Sequence, residues 1–246
     1  MVKKLFLCVS FILLSVTITM AAENIFETDT IKTSKGDLVI TCIGHGTLML
    51  SYGGKTIHVD PVASLADYAK LPKADLILIT HEHSDHLDLQ AIEKIKTANT
   101  AFVINGNSAG QIKNGVVLKN GAEKTIQGLP LKAVAAYNLV HMRSPGVPYH
   151  IKGSGNGYIV TFHDIRIYIA GDTENIPEMK ALRDIDIAFL PMNLPYTMTP
   201  EMVADAVKAF RPKIVYPYHY GKTDAQKLTD LLLDEKDIEV RIRKMM

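Results

Sequence analysis

The chain reads as an α/β fold in which two similar β-rich halves pack as two sheets with helices outside. Three features carry this reading. Each half contains a tight-turned hairpin ending in aspartate, Asp60 in the first and Asp172 in the second. Each hairpin is followed by a buried strand with a similar lead-in, Ala74-Asp75-Leu76 and Ile185-Asp186-Ile187. The apolar run Leu76-Ile77-Leu78-Ile79 then leads straight into Thr80-His81-Glu82-His83-Ser84-Asp85-His86. A short buried strand thus delivers metal-ligand side chains at its C-terminal end, where α/β folds place their chemistry. The echo has far too long a period for a solenoid.

Taken in order, the chain opens on a segment expected to lie outside the fold. Lys3 and Lys4 precede an apolar run from Leu5 to Met20, and Thr19-Met20-Ala21 has the small residues of a cleavage site. The run is shorter than the roughly 20 apolar residues of a spanning helix, and it contains Ser and Thr. The expectation is a signal peptide over 1–21 that is cleaved, with no stable membrane span afterwards. One domain then fills 22–246, and the protein is exported, periplasmic or secreted. Cys8 lies inside the apolar run, too early for a lipid-bearing first residue. Cleavage removes two lysines and no acid, leaving 25 basic against 26 acidic residues. With that balance and no long basic run, nothing favours a nucleic-acid partner. Cys42 remains as the one cysteine, so an intramolecular disulfide is excluded even in an oxidising compartment. The 246 residues are 47% hydrophobic, enough for a sizeable core.

From Asp37, Leu-Val-Ile-Thr-Cys-Ile-Gly-His-Gly is a strand ending in the glycine-flanked His45. Thr47–Tyr52 and Lys55–Asp60 form a hairpin around Gly53-Gly54. Residues 62–73 are a loop or short helix before the strand at 76. Leu87–Lys96 is helical, with Leu87, Ile92 and Ile95 near one face. Ala101–Ile104 is a strand, Gly115–Gly128 holds short strands joined by Asn-Gly turns, and Leu131–Tyr137 is another strand. Asn138–Gly157 is a long loop, rich in Pro and Gly and carrying His141 and His150; loops of this length are usually functional. Tyr158–Phe162 and Ile165–Ala170 form the second hairpin, running into Gly171-Asp172-Thr173, and Ile185–Leu190 is a buried strand. Thr199 caps a helix over Pro200–Phe210, with proline in its first turn. Lys213–Tyr218 is a strand ending at His219. Thr223-Asp224-Ala225-Gln226 opens a last helix to about Asp234 as a capping box, and Ile238–Ile242 is a final strand.

His81 and His83 alternate by two, so on extended backbone they point the same way. Imidazoles suit zinc, iron and similar ions, and a carboxylate adds charge. Four ligand side chains within six positions exceed what one tetrahedral ion takes conveniently. Two neighbouring ions are the natural reading, with His81 and His83 on one and Asp85 and His86 on the other, about 3.5–4 Å apart as in two-metal hydrolases. The remaining ligands must come from later strand ends or the long loop. Asp172 could bridge both ions, His219 could complete the second, and His141 or His150 the first. His58 and His163, in a strand and a hairpin turn, read as structural. His45 is open between a hydrogen-bonding role near the site and a structural turn. Tyr196 lies in a loop that could face substrate.

The motif His81-x-His83-x-Asp85-His86 resembles the His-x-His-x-Asp-His signature of the metallo-β-lactamase superfamily. Gly44-His45-Gly46, Asp60-Pro61, Gly171-Asp172-Thr173 and Pro217-Tyr218-His219-Tyr220-Gly221 are similar to its other motifs. The resemblance spans about residues 37–222 and is nearest to the branch of ascorbate-6-phosphate lactonase-like hydrolases. It implies an αββα four-layer sandwich with a dinuclear, usually zinc, site at one edge. It places His81 and His83 on metal 1, Asp85, His86 and His219 on metal 2, Asp172 between them, and Asp60 behind a ligand histidine as an orienting carboxylate. Asn138 stands where the family places a third histidine on metal 1. His150 ranks first to fill that position, then Asn138 itself, then His141. Manganese, iron or nickel are alternatives to two zinc ions.

The function expected is hydrolysis of a small-molecule lactone, amide or other ester carbonyl by metal-activated water, with Asp85 and Asp172 as the catalytic carboxylates. A phosphodiesterase or phospholipid-headgroup hydrolase is the alternative on the same site. A non-catalytic metal-binding module is a further one, and homo-oligomerisation is left open. A redox di-iron enzyme is disfavoured, because relatives of that kind carry Glu where this chain has His83.

Overall fold

A computed structural model describes residues 26–246; the expected signal peptide therefore lies outside the described residues. Two seven-stranded sheets face each other. The first runs β1 (Glu27–Thr33), β2 (Gly36–Gly44), β3 (Thr47–Tyr52), β4 (Lys55–Val59), β5 (Leu76–Leu78), β6 (Ala101–Ile104) and β7 (Val116–Val117), in spatial order. The second comprises β8 (Glu123–Ile126), β9 (Leu129–Ala136), β12 (Gly155–Phe162), β13 (Ile165–Ile169), β14 (Ile187–Pro191), β15 (Ile214–Tyr218) and β16 (Glu239–Val240). In each, antiparallel strands lead to a hairpin whose second strand is joined by parallel neighbours: β4 by β5, and β13 by β14. The repeated pattern of hairpin, aspartate and buried strand is therefore an architectural repeat.

The continuous apolar run in β5 is explained by burial on both faces. Leu76 and Leu78 point into the main core between the sheets. Ile77 and Ile79 point outward, against Ala91, Ile92 and Ile95 of α1 (Leu89–Ile95). On the far side, α3 (Pro200–Phe210) covers the second sheet with Val203, Ala206, Val207 and Phe210; Phe210 meets Tyr168 edge-on at 6.1 Å. The Thr199 hydroxyl accepts the Met202 amide at 3.1 Å, as the cap requires. Helices thus lie outside both sheets, in the order αββα.

Three local expectations change. The capping box before α4 (Gln226–Leu231) does not form: the carboxylate of Asp224 accepts the Gln226 amide instead. Residues 138–157 are not all loop, since β10 (Met142–Ser144) and β11 (Val147–Pro148) form a small separate hairpin and β12 begins at Gly155. β1 was not expected. Its side chains alternate half-buried and exposed at a sheet edge, and Ile31 is its one strongly apolar residue. Among the described residues no helix is long and apolar enough to cross a membrane.

His58 is structural, as expected. It is buried, and its Nε2 donates to the Pro72 carbonyl at 3.0 Å. Burial outweighs that bond and pushes its pKa down to about 4. The unfolded imidazole titrates near 6.5, so the unfolded chain binds more protons between those values and acid favours unfolding. From pH 7 to pH 4, native stability should fall by about 3 kcal/mol more than that of His58→Gln, which keeps a donor but cannot titrate. Urea unfolding of both at the two pH values measures the difference, and parallel losses would contradict it.

Candidate metal centre

The strands of both sheets end on one edge, and the side chains that follow them converge there. His45 follows β2, Asp60 follows β4, Thr80 and His81 follow β5, Asn138 follows β9, Asp172 follows β13 and His219 follows β15. His45, Asp60 and His219 have φ of 50°, 46° and 47°. These are left-handed values that a non-glycine residue keeps only where its surroundings enforce them. Gly171 (φ 65°) turns the chain into Asp172, and a Cβ there would sit 2.8 Å from the Asn156 carbonyl. Gly46 lets His86 lie against the backbone, since a Cβ would fall 2.7 Å from its Cε1.

Three histidines are fixed by their Nδ1 atoms. His86 Nδ1 lies 2.8 Å from a carboxylate oxygen of the fully buried Asp60, which also accepts the Thr80 amide and hydroxyl at 2.8 and 2.6 Å. The single Thr80 hydroxyl proton is thereby committed to Asp60, so the same oxygen accepts His81 Nδ1–H at 3.0 Å. His150 Nδ1 donates at 2.7 Å to the Asn138 carbonyl oxygen, whose own amide nitrogen donates to Glu174 and to the Tyr196 carbonyl. In all three rings Nε2 is left on the side of Asp172, 3.4–3.9 Å from its carboxylate oxygens.

The ligand-type atoms form two groups around one carboxylate. His81, His83 and His150 bring ring nitrogens within 4.8 Å of one another, and so do His45, Asp85, His86 and His219 with their ligand-type atoms. Asp172 lies between them: its oxygens are 3.4 Å from His150, His86 and His219 Nε2 and 3.9 Å from His81 Nε2. Asp85 is 3.6 Å from His219 and 3.1 Å from His45. The expected pairing of residues is thus the spatial one, with His45 added to the second group. His141 is not brought in; it turns away to Glu174, 2.7 Å from its Nδ1. Asn138 supports His150 and turns its own amide nitrogen to Glu174 and the Tyr196 carbonyl. Tyr196 lines the mouth, half-exposed, edge-on to Tyr149 at 5.1 Å.

Burial pushes His81 well below the ordinary imidazole range and takes His150 down to about 4, so both favour the neutral, ligating form. Burial also opposes charge on His86, but Asp172, Asp60 and Asp85 outweigh it and raise its pKa to about 9. Asp172 is held below the carboxylate range: burial works against this, and His219, His86 and His81 override it.

These residues fit metal. His86 Nε2, Asp172 Oδ1 and both ring nitrogens of His219 are buried without a hydrogen-bond partner. Such atoms cost about 1–3 kcal/mol each when left unsatisfied. Imidazole lone pairs here face carboxylate oxygens at 3.4 Å with few donors between them, an arrangement that a divalent cation relieves. A cavity of about 340 Å³ opens above, lined by His83, Asp85, Arg143, Tyr149, Asn193 and Tyr196 among others.

Sequence reasoning missed Glu174. Fully buried, its carboxylate accepts the amides of Leu139, Val140 and His141 at 2.7–2.8 Å as well as Asn138 and His141 side chains. It thereby fixes the loop that supports His150. Its one sequence signal, an acid two residues after Asp172, does not reveal a partner 33–36 residues away. Glu174→Gln replaces an acceptor by a donor and should cost about 1–3 kcal/mol. Hydrogen exchange should accelerate at the amides of residues 139–141 and not in β13 or β14; unchanged protection at those three would refute this.

The family described as Beta-lactamase superfamily domain matches residues 39–219. The chain is 34% identical over 192 residues to a metal-dependent hydrolase of Thermococcus kodakarensis, covering 73% of this chain and 83% of that one. It is 30% identical over 194 residues to a metal-dependent hydrolase of Methanopyrus kandleri, covering 74% and 84%. Among solved structures, a candidate metal-dependent hydrolase from Parabacteroides distasonis is 52% identical with a TM-score of 0.86, over 90% of this chain and 100% of that one. A metallo hydrolase from Ignicoccus hospitalis, 24% identical with a TM-score of 0.69 over 85% and 95% of the two chains, shares the fold.

Proposed function

This chain belongs to the β-lactamase superfamily, and from that premise we propose that it is an exported, metal-dependent hydrolase with a dinuclear, zinc-type centre acting on a lactone, amide or other ester carbonyl. The observation that carries the reading is the set of buried, unpartnered nitrogen and oxygen atoms around Asp172. In this reading His81, His83 and His150 would hold one ion. Asp85, His86 and His219 would hold the other, with Asp172 available to either from between the two groups. When bound, the ions supply Lewis acidity, polarising the substrate oxygen and acidifying water.

The protein's own residues supply orientation and proton handling. Thr80, Asp60 and Asn138 each take an Nδ1–H and so aim one Nε2 lone pair inward. The proton that the three carboxylates favour on His86 must leave when a cation arrives, so metal uptake releases protons. Asp85 has half of its side chain exposed at the mouth. It is placed to take the proton of the attacking water as the new C–O bond forms, and to pass it to the leaving group as the scissile bond breaks. His45 steadies Asp85 through Nε2. The carbonyl class is supported by the lactonase-like motifs.

His81→Ala and Asp172→Ala should each lower metal-dependent hydrolysis by at least about 100-fold. A screen of metal-loaded protein over lactones, amides and phosphodiesters provides the substrate for this comparison. Full activity in either variant overturns the proposed centre, and turnover of phosphodiesters alone overturns the carbonyl class.

A further inference from the structure

One cation at the mouth is left over by this chemistry. Arg143, in β10, has its guanidinium carbon 5.8 Å from the centroid of the Tyr149 ring, and Tyr149 is edge-on to Tyr196. Among the described residues it is the one Lys or Arg lining either the cavity above the centre or the adjoining concavity of about 190 Å³; both are lined by His83, Tyr149 and His150. Three other arginines have close acidic partners, Arg211 with Glu235 and Asp237, Arg241 with Glu239, and Arg243 with Asp29, while Arg183 donates to the Lys180 and Leu182 carbonyls. Arg143 pairs with none of the described carboxylates, although Asp85 and Asp172 line the same cavity. A guanidinium resting on an aromatic face keeps its edge N–H groups free for a planar, two-oxygen anion.

Exposed apolar side chains border the same mouth. Of the eleven large hydrophobic residues exposed among the described ones, seven fall in segments 139–151 and 194–196, which border this mouth. Val147 and Ile151, 44% and 58% exposed, wall the adjoining concavity. Single exposed apolar side chains need no explanation, but a cluster rimming a polar cavity marks a binding surface.

We propose that the substrate carries a carboxylate or phosphate group next to an apolar portion. Arg143 binds the anion, and the apolar portion lies against Tyr149, Tyr196, Val147 and Ile151. This rests on the hydrolase reading for the word substrate, but the anion subsite can be tested apart from turnover. The probes are 1-hexanesulfonate, which is not hydrolysable and is a weak metal ligand, and neutral 1-hexanol. Each is titrated into metal-loaded protein and followed by NMR, with metal content measured on the same samples. Wild type should bind the sulfonate about tenfold more tightly than the alcohol, the size of one charge-assisted pair.

Arg143→Gln should bring the two to parity with hexanol affinity and metal content unchanged, and Arg143→Lys should recover part of the preference. Arg166→Gln, on the outer face of the second sheet, should change neither. Wild type without a sulfonate preference overturns the subsite, and so does a preference that survives in Arg143→Gln. Wild type that takes up no metal overturns the hydrolase reading instead, and leaves the comparison at Arg143 readable.

Discussion

The structure depends on a repeated constraint: buried histidines are held at Nδ1 so that Nε2 must face a common point. Asp60, Thr80 and Asn138 do the holding for His86, His81 and His150. Each sits at or just beyond the end of a strand, so ring orientation is set by sheet register and not by loop flexibility. The cost of the arrangement is visible in left-handed backbone at His45, Asp60 and His219 and in buried atoms without partners. Two packed sheets can bear it because their shared core is large and nearly continuous.

Much of the fold is legible in the residues. The two hairpins, the buried strands after them and the helix capped by Thr199 all follow from period, turn chemistry and capping. The strands that escaped are those whose pattern lacks apolar content. β1 is Glu-Thr-Asp-Thr-Ile-Lys-Thr, a polar edge, and Arg143 and Val147 lie in strands of three and two residues. The metal-type cluster was legible because four of its members are adjacent in sequence and the others end recognisable strands. What fixes His150 was not legible: Asn138 was readable as a departure from the family pattern, but only the fold shows Glu174 holding Asn138 and three backbone amides together.

The segment after β9 therefore joins a ligand-type residue to the mouth of the site. It supplies His150 to the first group, and carries Arg143 and the apolar rim toward solvent. It is anchored at its base by Glu174 and at its far end by the pairing of β12 with β9. In the proposed reading the strand ends of both sheets and His150 carry the chemistry, while Arg143 and the exposed apolar residues of the same segment face the mouth where a substrate would enter.

The central claim is that two cations share Asp172. Anomalous diffraction at the zinc edge from crystals grown with zinc tests it most directly. The expected result is two peaks, one among His81, His83 and His150 and one among Asp85, His86 and His219, each within bonding distance of Asp172. A single peak away from Asp172, or none at zinc concentrations that saturate the protein in solution, would contradict it.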